Sequence, residues 1–316
     1  MNKISHELKA KFINYVPIIG LILVTVVFAV LTEGKTVSSV NLKILTNQVI
    51  LTALVSIGAV FSFSCGAFDM SLGGSLCISA IVGALAGMKT NSMVVMILAT
   101  LVASMVIALF KGYVAANLTL PIFIVTIIFN SFLSAIGLVL LGKSTTLSIG
   151  KIVTVKDMTL INIIFLGGFF LLAVLLFNYT KIGKSMKLQG GNITAAIQSG
   201  INAKRNILIA FAMSGLGVAL AAIITLLRTK TATAATGGTI GNDMIVAIVL
   251  GGMPLSGGSR SKISAAIIGA GTITILNNGL SVYGVSNDTI QIVRGAIFMV
   301  VVFITSLSYR TKLLPR

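Results

Sequence analysis

Residues 181–205, KIGKSMKLQGGNITAAIQSGINAKR, form a polar, basic island in a chain otherwise built of apolar runs joined by short turns. Lys181, Lys184, Lys187, Lys204 and Arg205 flank it, and no acidic residue lies among them. Its middle reads as a short helix. Gly190 and Gly191 free the backbone, Asn192 is a strong N-cap, and Ala195, Ala196 and Ile197 fill a compact turn. Gly200 then stands where a left-handed cap residue is wanted. A basic loop beside apolar spans marks the cytoplasmic side of a membrane. A helix held there is either a solvated connection between two spans or a contact for a soluble partner.

Composition sets the surroundings of this island. Of 316 residues, 56% are hydrophobic and 9% charged, whereas a soluble domain carries roughly a quarter charged residues. The mean hydropathy of +1.09 agrees, and the chain reads as an all-α polytopic membrane protein. The net charge of +17, from 23 Lys plus Arg against 6 Asp plus Glu, would suggest nucleic acid in a soluble protein. Here the basic residues sit between apolar runs, where they orient spans and meet anionic lipid, so no nucleic-acid partner is expected.

A span needs roughly 20 apolar residues. About ten are expected, some short or broken, near 12–31, 44–64, 70–88, 92–114, 122–141, 160–178, 206–227, 240–252, 263–282 and 290–309. The apolar run from Phe12 is too long for a signal-peptide core and reads as a retained first span, with both termini cytoplasmic. Lys3, Lys9, Lys11, Lys111, the loop residues, Arg260, Lys262, Arg310, Lys312 and Arg316 then lie inside. Lys35, Lys43, Lys89, Lys143, Lys151, Lys156, Arg228, Lys230 and Arg294 lie outside. Lys143, Lys151 and Lys156 fit worst, which leaves room for a missed or spurious span near 140–160. Gly83 and Gly87 make a small-xxx-small face for close helix packing. Glycine-rich breaks at 65–74 and 250–258 interrupt spans, which is tolerated at membrane depth only inside protein or beside a cavity.

Catalytic chemistry has little to work with. There is no Walker A pattern and no HExxH, the single histidine is His6, and Cys65 and Cys77 lack metal spacing. No enzyme activity, no cofactor and no metal are expected of this chain. Two acids, Asp69 and Asp243, lie in or beside spans, where an ionisable group is a functional candidate by default. Each could instead cap the helix that follows it. Ser71, in the break after Asp69, joins them as a candidate for the solute path or its gate. Asn277, Asn278 and Gln291 could hydrogen-bond a hydroxylated solute or join helices.

Four segments, in this order, resemble the permease subunit of bacterial ABC importers of the ribose/galactose/xylose class, the branch that includes autoinducer-2 permeases. They are AFDMSLGG (67–74), LPIFIVT (120–126), GGNITAAIQSGIN (190–202) and the long run 243–298. The resemblance implies one transmembrane permease domain over 1–316, in a bacterial plasma (inner) membrane, with residues 181–205 as a cytoplasmic coupling loop. Within that loop Gly190, Gly191, Asn192, Ala195, Ala196, Ser199 and Gly200 would form the coupling helix that docks into a separate cytoplasmic ABC ATPase. That ATPase would bind ATP and Mg, an extracytoplasmic solute-binding protein would deliver a sugar or similar small hydroxylated solute, and a second permease copy or paralogue would complete the path. Asp69, Asp243 and Asn278 fall on family motif positions, which do not assign them solute contact. Ile193 and Thr194 stand where the family usually carries acids. The competing expectation is a secondary transporter run by an ion gradient, with Asp69 or Asp243 as the proton site.

Overall fold

A computed structural model describes residues 3–313 apart from 119 and 156, with side chains over 15–303. The basic terminal residues Lys3, Lys9, Lys11, Arg310, Lys312 and Arg316, and His6, lie outside the described side chains.

Small inward residues and bulky outward ones build the fold, the reverse of a soluble helix. α4 (Met93–Asn117) shows this most clearly. Its buried positions, Met96, Thr100, Ser104, Ala108, Lys111, Gly112 and Ala115, recur every three or four residues along one stripe. Val94, Leu98, Val102, Val106, Phe110 and Tyr113 point outward and are exposed. Lipid tails are as apolar as leucine, so helices associate through close packing of small residues rather than by hiding large ones. The stripe packs on α3 (Leu72–Thr90) and α9 (Ala203–Thr229). Gly83 and Gly87 of α3 provide the expected face: a Cβ on Gly87 would stand 2.8 Å from the Met96 side chain.

Seven helices among the described residues are long and apolar enough to cross a membrane. They are α2 (Ser39–Ser64), α3, α4, α5 (Ile122–Leu141), α6 (Thr159–Val174, continued by a π-helical turn over Leu175–Tyr179), α9 and α11 (Ile263–Val282). α1 (Lys3–Leu31) adds an apolar segment over Tyr15–Leu31, α10 (Ile240–Leu250) is a short one, and α12 (Asn287–Leu313) covers the stretch where the tenth span is expected. At 1.5 Å per residue α10 reaches only about half way across a bilayer of roughly 30 Å. α2, α3 and α9 form the centre, each with 72% of its apolar window buried, while α4, α5 and α6 lie outside them at 22–28%.

Two ends follow from this packing. At the loop end the breaks after α2 and after α10 meet, Gly258 N donating to Ser64 O at 3.0 Å, and α7 (Lys181–Gly191), followed by α8 (Ile193–Gln198), packs on that junction through Gly190. Lys204 Nζ donates to Asn117 Oδ1 at 2.9 Å, which brings the end of α4 to the same side. At the other end two short strands pair antiparallel, β1 (Thr146–Ser148) with β2 (Thr231–Thr233), Leu147 opposite Ala232. The connection near 140–160 is thus a ribbon resting on the turn after α9, and α5 and α6 on either side of it are both spans. Two basic residues are not where charge sidedness puts them. Lys111 and Arg294 are buried, at 1% and 9% exposure.

Candidate functional site

The loop end is organised by α7 and α8. Asn192 ends α7 and caps α8, its Oδ1 accepting from Ala195 N at 3.0 Å. Gly200 has φ of 80°, and Ile201 N donates to Ala196 O while Gly200 N donates to Ile197 O. That is a Schellman closure, which needs the left-handed residue the sequence places there. Gly190 and Gly191 differ from expectation. They form the last turn of a helix, not a flexible hinge, and Gly190 is required by contact: a Cβ would lie 2.0 Å from Ser64 O and 2.8 Å from Gly258 N.

This pair of helices is fastened to the body by polar side chains. Asn206 of α9 donates to Gln189 Oε1 at 2.9 Å and accepts from Ser185 Oγ at 3.0 Å. Lys187 lies 4.4 Å over the Phe177 ring, and burial pushes its ammonium below the ordinary lysine value. Ala196 faces inward at 4% exposure and seats α8. Ala195 and Ser199 are exposed, and Leu188, Ile193 and Ile197 present apolar surface at 61%, 52% and 55% exposure. A groove of about 290 Å³ runs between Lys187, Gly191, Asn192, Ala195, Ser199 and Ser259. The sequence reading names Ile193 and Ile197 without their exposure and does not name Leu188. A polar loop that spends apolar side chains outward is the signal that could have found them.

Both buried acids have a cation the sequence did not supply. Asp69 is fully buried, and its Oδ2 accepts from Lys111 Nζ at 3.0 Å. Lys111 also donates to Ser71 Oγ at 2.6 Å and Ser75 Oγ at 2.8 Å, so all three ammonium protons are used. Asp69 Oδ1 accepts from Ser71 N and Ser71 Oγ. Asp69 and Ser71 are therefore sealed in a knot that ties the break after α2 to α4. Asp243 lies inside the first turn of α10, and its Oδ1 accepts from Arg294 Nη1 at 2.6 Å and Asn277 Nδ2 at 3.3 Å. Neither acid stands as a lone titratable group.

Asn278 parts from Asn277. It exchanges hydrogen bonds with Asn41 of α2, at 2.7 and 3.2 Å, and joins α11 to α2. Asn278→Leu is expected to cost about 1 kcal/mol, the scale of interhelical hydrogen bonds in membranes, read as a modest loss of denaturant resistance with normal transport. A transport defect without a stability change would place Asn278 in the solute path instead.

A cavity of about 460 Å³ opens between α2, α5, α10 and α12. Phe63, Phe68, Phe123 and Phe298 line it with Leu255, and Asn242, Gln291 and Arg294 give it one polar edge. Phe63 links the two regions, because Gly257, beside Gly258, presses on its carbonyl: a Cβ there would stand 2.2 Å from Phe63 O. A continuous path of backbone contacts thus runs from α7 through Ser64 and Gly258 to the cavity wall.

Comparison with known proteins adds a family. A family described as "branched-chain amino acid transport system / permease component" matches residues 41–302. The probable ABC transporter permease protein YphD of Escherichia coli K12 is 37% identical over 133 residues, 42% of this chain and 40% of that protein. The ribose import permease protein RbsC of the same strain is 35% identical over 139 residues, 44% and 43% of the two chains. The xylose transport system permease protein XylH of Haemophilus influenzae is 38% identical over 134 residues, 42% and 36%. The matched stretches span less than half the length of these relatives. No solved structure matches.

Proposed function

Since the chain belongs to the family of branched-chain amino acid transport system permease components, we propose that it is the membrane-spanning permease subunit of an ATP-driven importer for a sugar or similar hydroxylated solute. The sugar class rests on the relatives' names, ribose and xylose. A separate cytoplasmic ATPase binds ATP and Mg, a solute-binding protein delivers cargo on the ribbon side, and a second permease copy or paralogue completes the path. The loop end is then cytoplasmic, with both termini.

The observation that carries this reading is α8, an exposed short helix whose backing is continuous with the cavity wall. Ala195 and Ala196 lie in it, Asn192, Ser199 and Gly200 close its ends, and Gly190 and Gly191 end α7 just before it. Ala195, Ile193 and Ile197 offer the partner a surface, and Ala196 transmits its position inward. Packed interiors shift between discrete arrangements rather than deform smoothly. A push on α8 therefore reaches Ser64, Gly258 and Phe63 together. The permease supplies no bond-breaking chemistry; it converts ATPase closure into a change at the cavity. The ion-gradient alternative is weaker, because Asp69 and Asp243 are each committed to a cation.

The test is co-purification of tagged protein from mild detergent, with ATP hydrolysis assayed on the eluate. An ABC ATPase is expected with the wild type and lost with Ile197→Arg or Ala195→Arg, at unchanged permease yield. A wild-type eluate without ATPase, from cells that take up solute on a proton gradient alone, would sink the reading.

A further inference from the structure

The loop end carries charge of one sign. Of the six acids in the chain, Asp69 and Asp243 are buried in ion pairs, and Glu7 lies outside the described side chains. Glu33, Asp157 and Asp288 belong to the ribbon end, before α2, before α6 and in the first turn of α12. Lys181, Lys184, Lys187, Lys204 and Arg205 therefore have no ion pair among the described residues. Lys187 differs from the other four. They are exposed, whereas Lys187 is half-buried, lines the groove beside α8 and rests its ammonium 4.4 Å over the Phe177 ring. A ring face holds a cation more weakly than a charge-assisted hydrogen bond to a carboxylate does. The rest of the polar lining also offers donors. Asn192 spends its oxygen on Ala195 N, which leaves its amide N–H groups, and Ser259 adds a hydroxyl. No acid lines the groove.

We infer that this groove receives a carboxylate side chain of the partner ATPase, and that Lys187 is the residue that selects it. This deepens the reading of α8 as the ATPase contact and rests on it. The occupant brings apolar surface beside its charge, because Leu188 in the groove lining and Ile193 and Ile197 of α8 are all exposed. A free anion has no such surface. Thr194, Gln198 and Ser199 are exposed between those aliphatics, whereas a helix lying on a membrane segregates its polar and apolar faces. The mixed face suits a protein. The unpaired cations around it steer an acidic surface to this end and turn away a basic one. The fitting ATPase thus presents an Asp or Glu next to an apolar patch, and an ATPase with a basic docking cleft does not pair with this permease.

The test uses the ATPase recovered by co-purification, bound to full-length permease in nanodiscs, with its association and dissociation rates measured. Lys187→Met keeps an unbranched side chain and sets sulfur on the Phe177 ring, so the packing is kept and the charge alone is lost. It is expected to raise the dissociation rate at least about tenfold, the loss of a hydrogen bond between charged groups. Lys187→Arg keeps a cation that binds carboxylates and stacks on rings, and is expected to stay within about threefold of the wild type. Lys184→Met removes the same charge outside the groove and is expected to slow association while leaving dissociation nearly unchanged. Carbodiimide, which joins an amine to a carboxylate in contact with it, is expected to link Lys187 to an Asp or Glu of the ATPase. An unchanged dissociation rate in Lys187→Met, an equal loss in the Met and Arg variants, or links from the exposed lysines alone would overturn the inference while the permease reading stands. A Lys187→Met effect present in discs with phosphatidylglycerol and absent in pure phosphatidylcholine would overturn it in favour of an anionic lipid headgroup. A wild type that brings down no ATPase would instead defeat the permease reading.

Discussion

Replacing Lys111 by Met is expected to cost about 3–5 kcal/mol of stability, the scale of stranding one member of a buried ion pair. Every proton of the Lys111 ammonium has a partner, and the methionine that replaces it has none to give. Asp69 would keep its bonds from Ser71 but lose its only cation, at a position with no access to solvent. The damage would centre on residues 65–71, where non-helical backbone lies between two buried helices and is tolerated only because protein satisfies it. Thr126 contributes there too, accepting from Met70 N and donating to Phe68 O at 3.0 Å each. Melting of detergent-solubilised protein, followed by size-exclusion chromatography, reads the loss. The double variant Asp69→Asn with Lys111→Met removes both charges and is expected to recover most of it, since apolar or neutral replacements of a whole buried pair are often near neutral. A Lys111→Met protein that melts with the wild type would mean that the pair is not buried in the membrane-embedded protein.

The spans and the polar loop were legible because each rests on local pattern. Apolar length gave the seven long apolar helices and the shorter ones in α1 and α10, Asn192 and Gly200 gave the ends of α8, and the acids at 69 and 243 announced themselves by being acids in apolar surroundings. What was not legible is pairwise. Lys111 stands 42 residues from Asp69, and Arg294 stands 51 from Asp243. Nothing in either local sequence says that a cation near the end of an apolar run turns inward. For Lys111 a signal exists in hindsight. It lies on the same stripe as Met96, Thr100, Ser104 and Ala108, three residues beyond the last of them. Arg294 likewise lies four residues after buried Ile290 and four before Phe298 of the cavity wall. The two asparagines at 277 and 278 look equivalent in sequence, but neighbours on a helix point about 100° apart, so one reaches Asp243 and the other Asn41.

The same limit explains Gly190 and Gly191, which read alike as a flexible pair and lie in unlike places. Gly190→Ala is expected to cost about 1–3 kcal/mol as overpacking against backbone that cannot yield like a side chain. Its Cβ would meet Ser64 O and Gly258 N, the contact that carries motion of α7 and α8 to Phe63. Relief requires α7 to lift from the joint, while the outward face of α8, with Ala195, Ile193 and Ile197, stays as it is. The expected phenotype is therefore uncoupling. The ATPase still co-purifies and hydrolyses ATP, while uptake per ATP falls roughly tenfold, the factor that 1.4 kcal/mol represents in an equilibrium. Gly191→Ala is the matched control, because nothing lies within 4 Å of its Cβ. Alanine there also favours the helix by up to about 1 kcal/mol. Solute uptake and ATP hydrolysis, measured together in proteoliposomes holding the purified complex, separate the outcomes. Loss of ATPase binding in Gly190→Ala would move the effect to the docking surface. Equal and normal coupling in both variants would break the proposed link between α8 and the cavity, because the one backbone contact that separates the two glycines would then carry nothing.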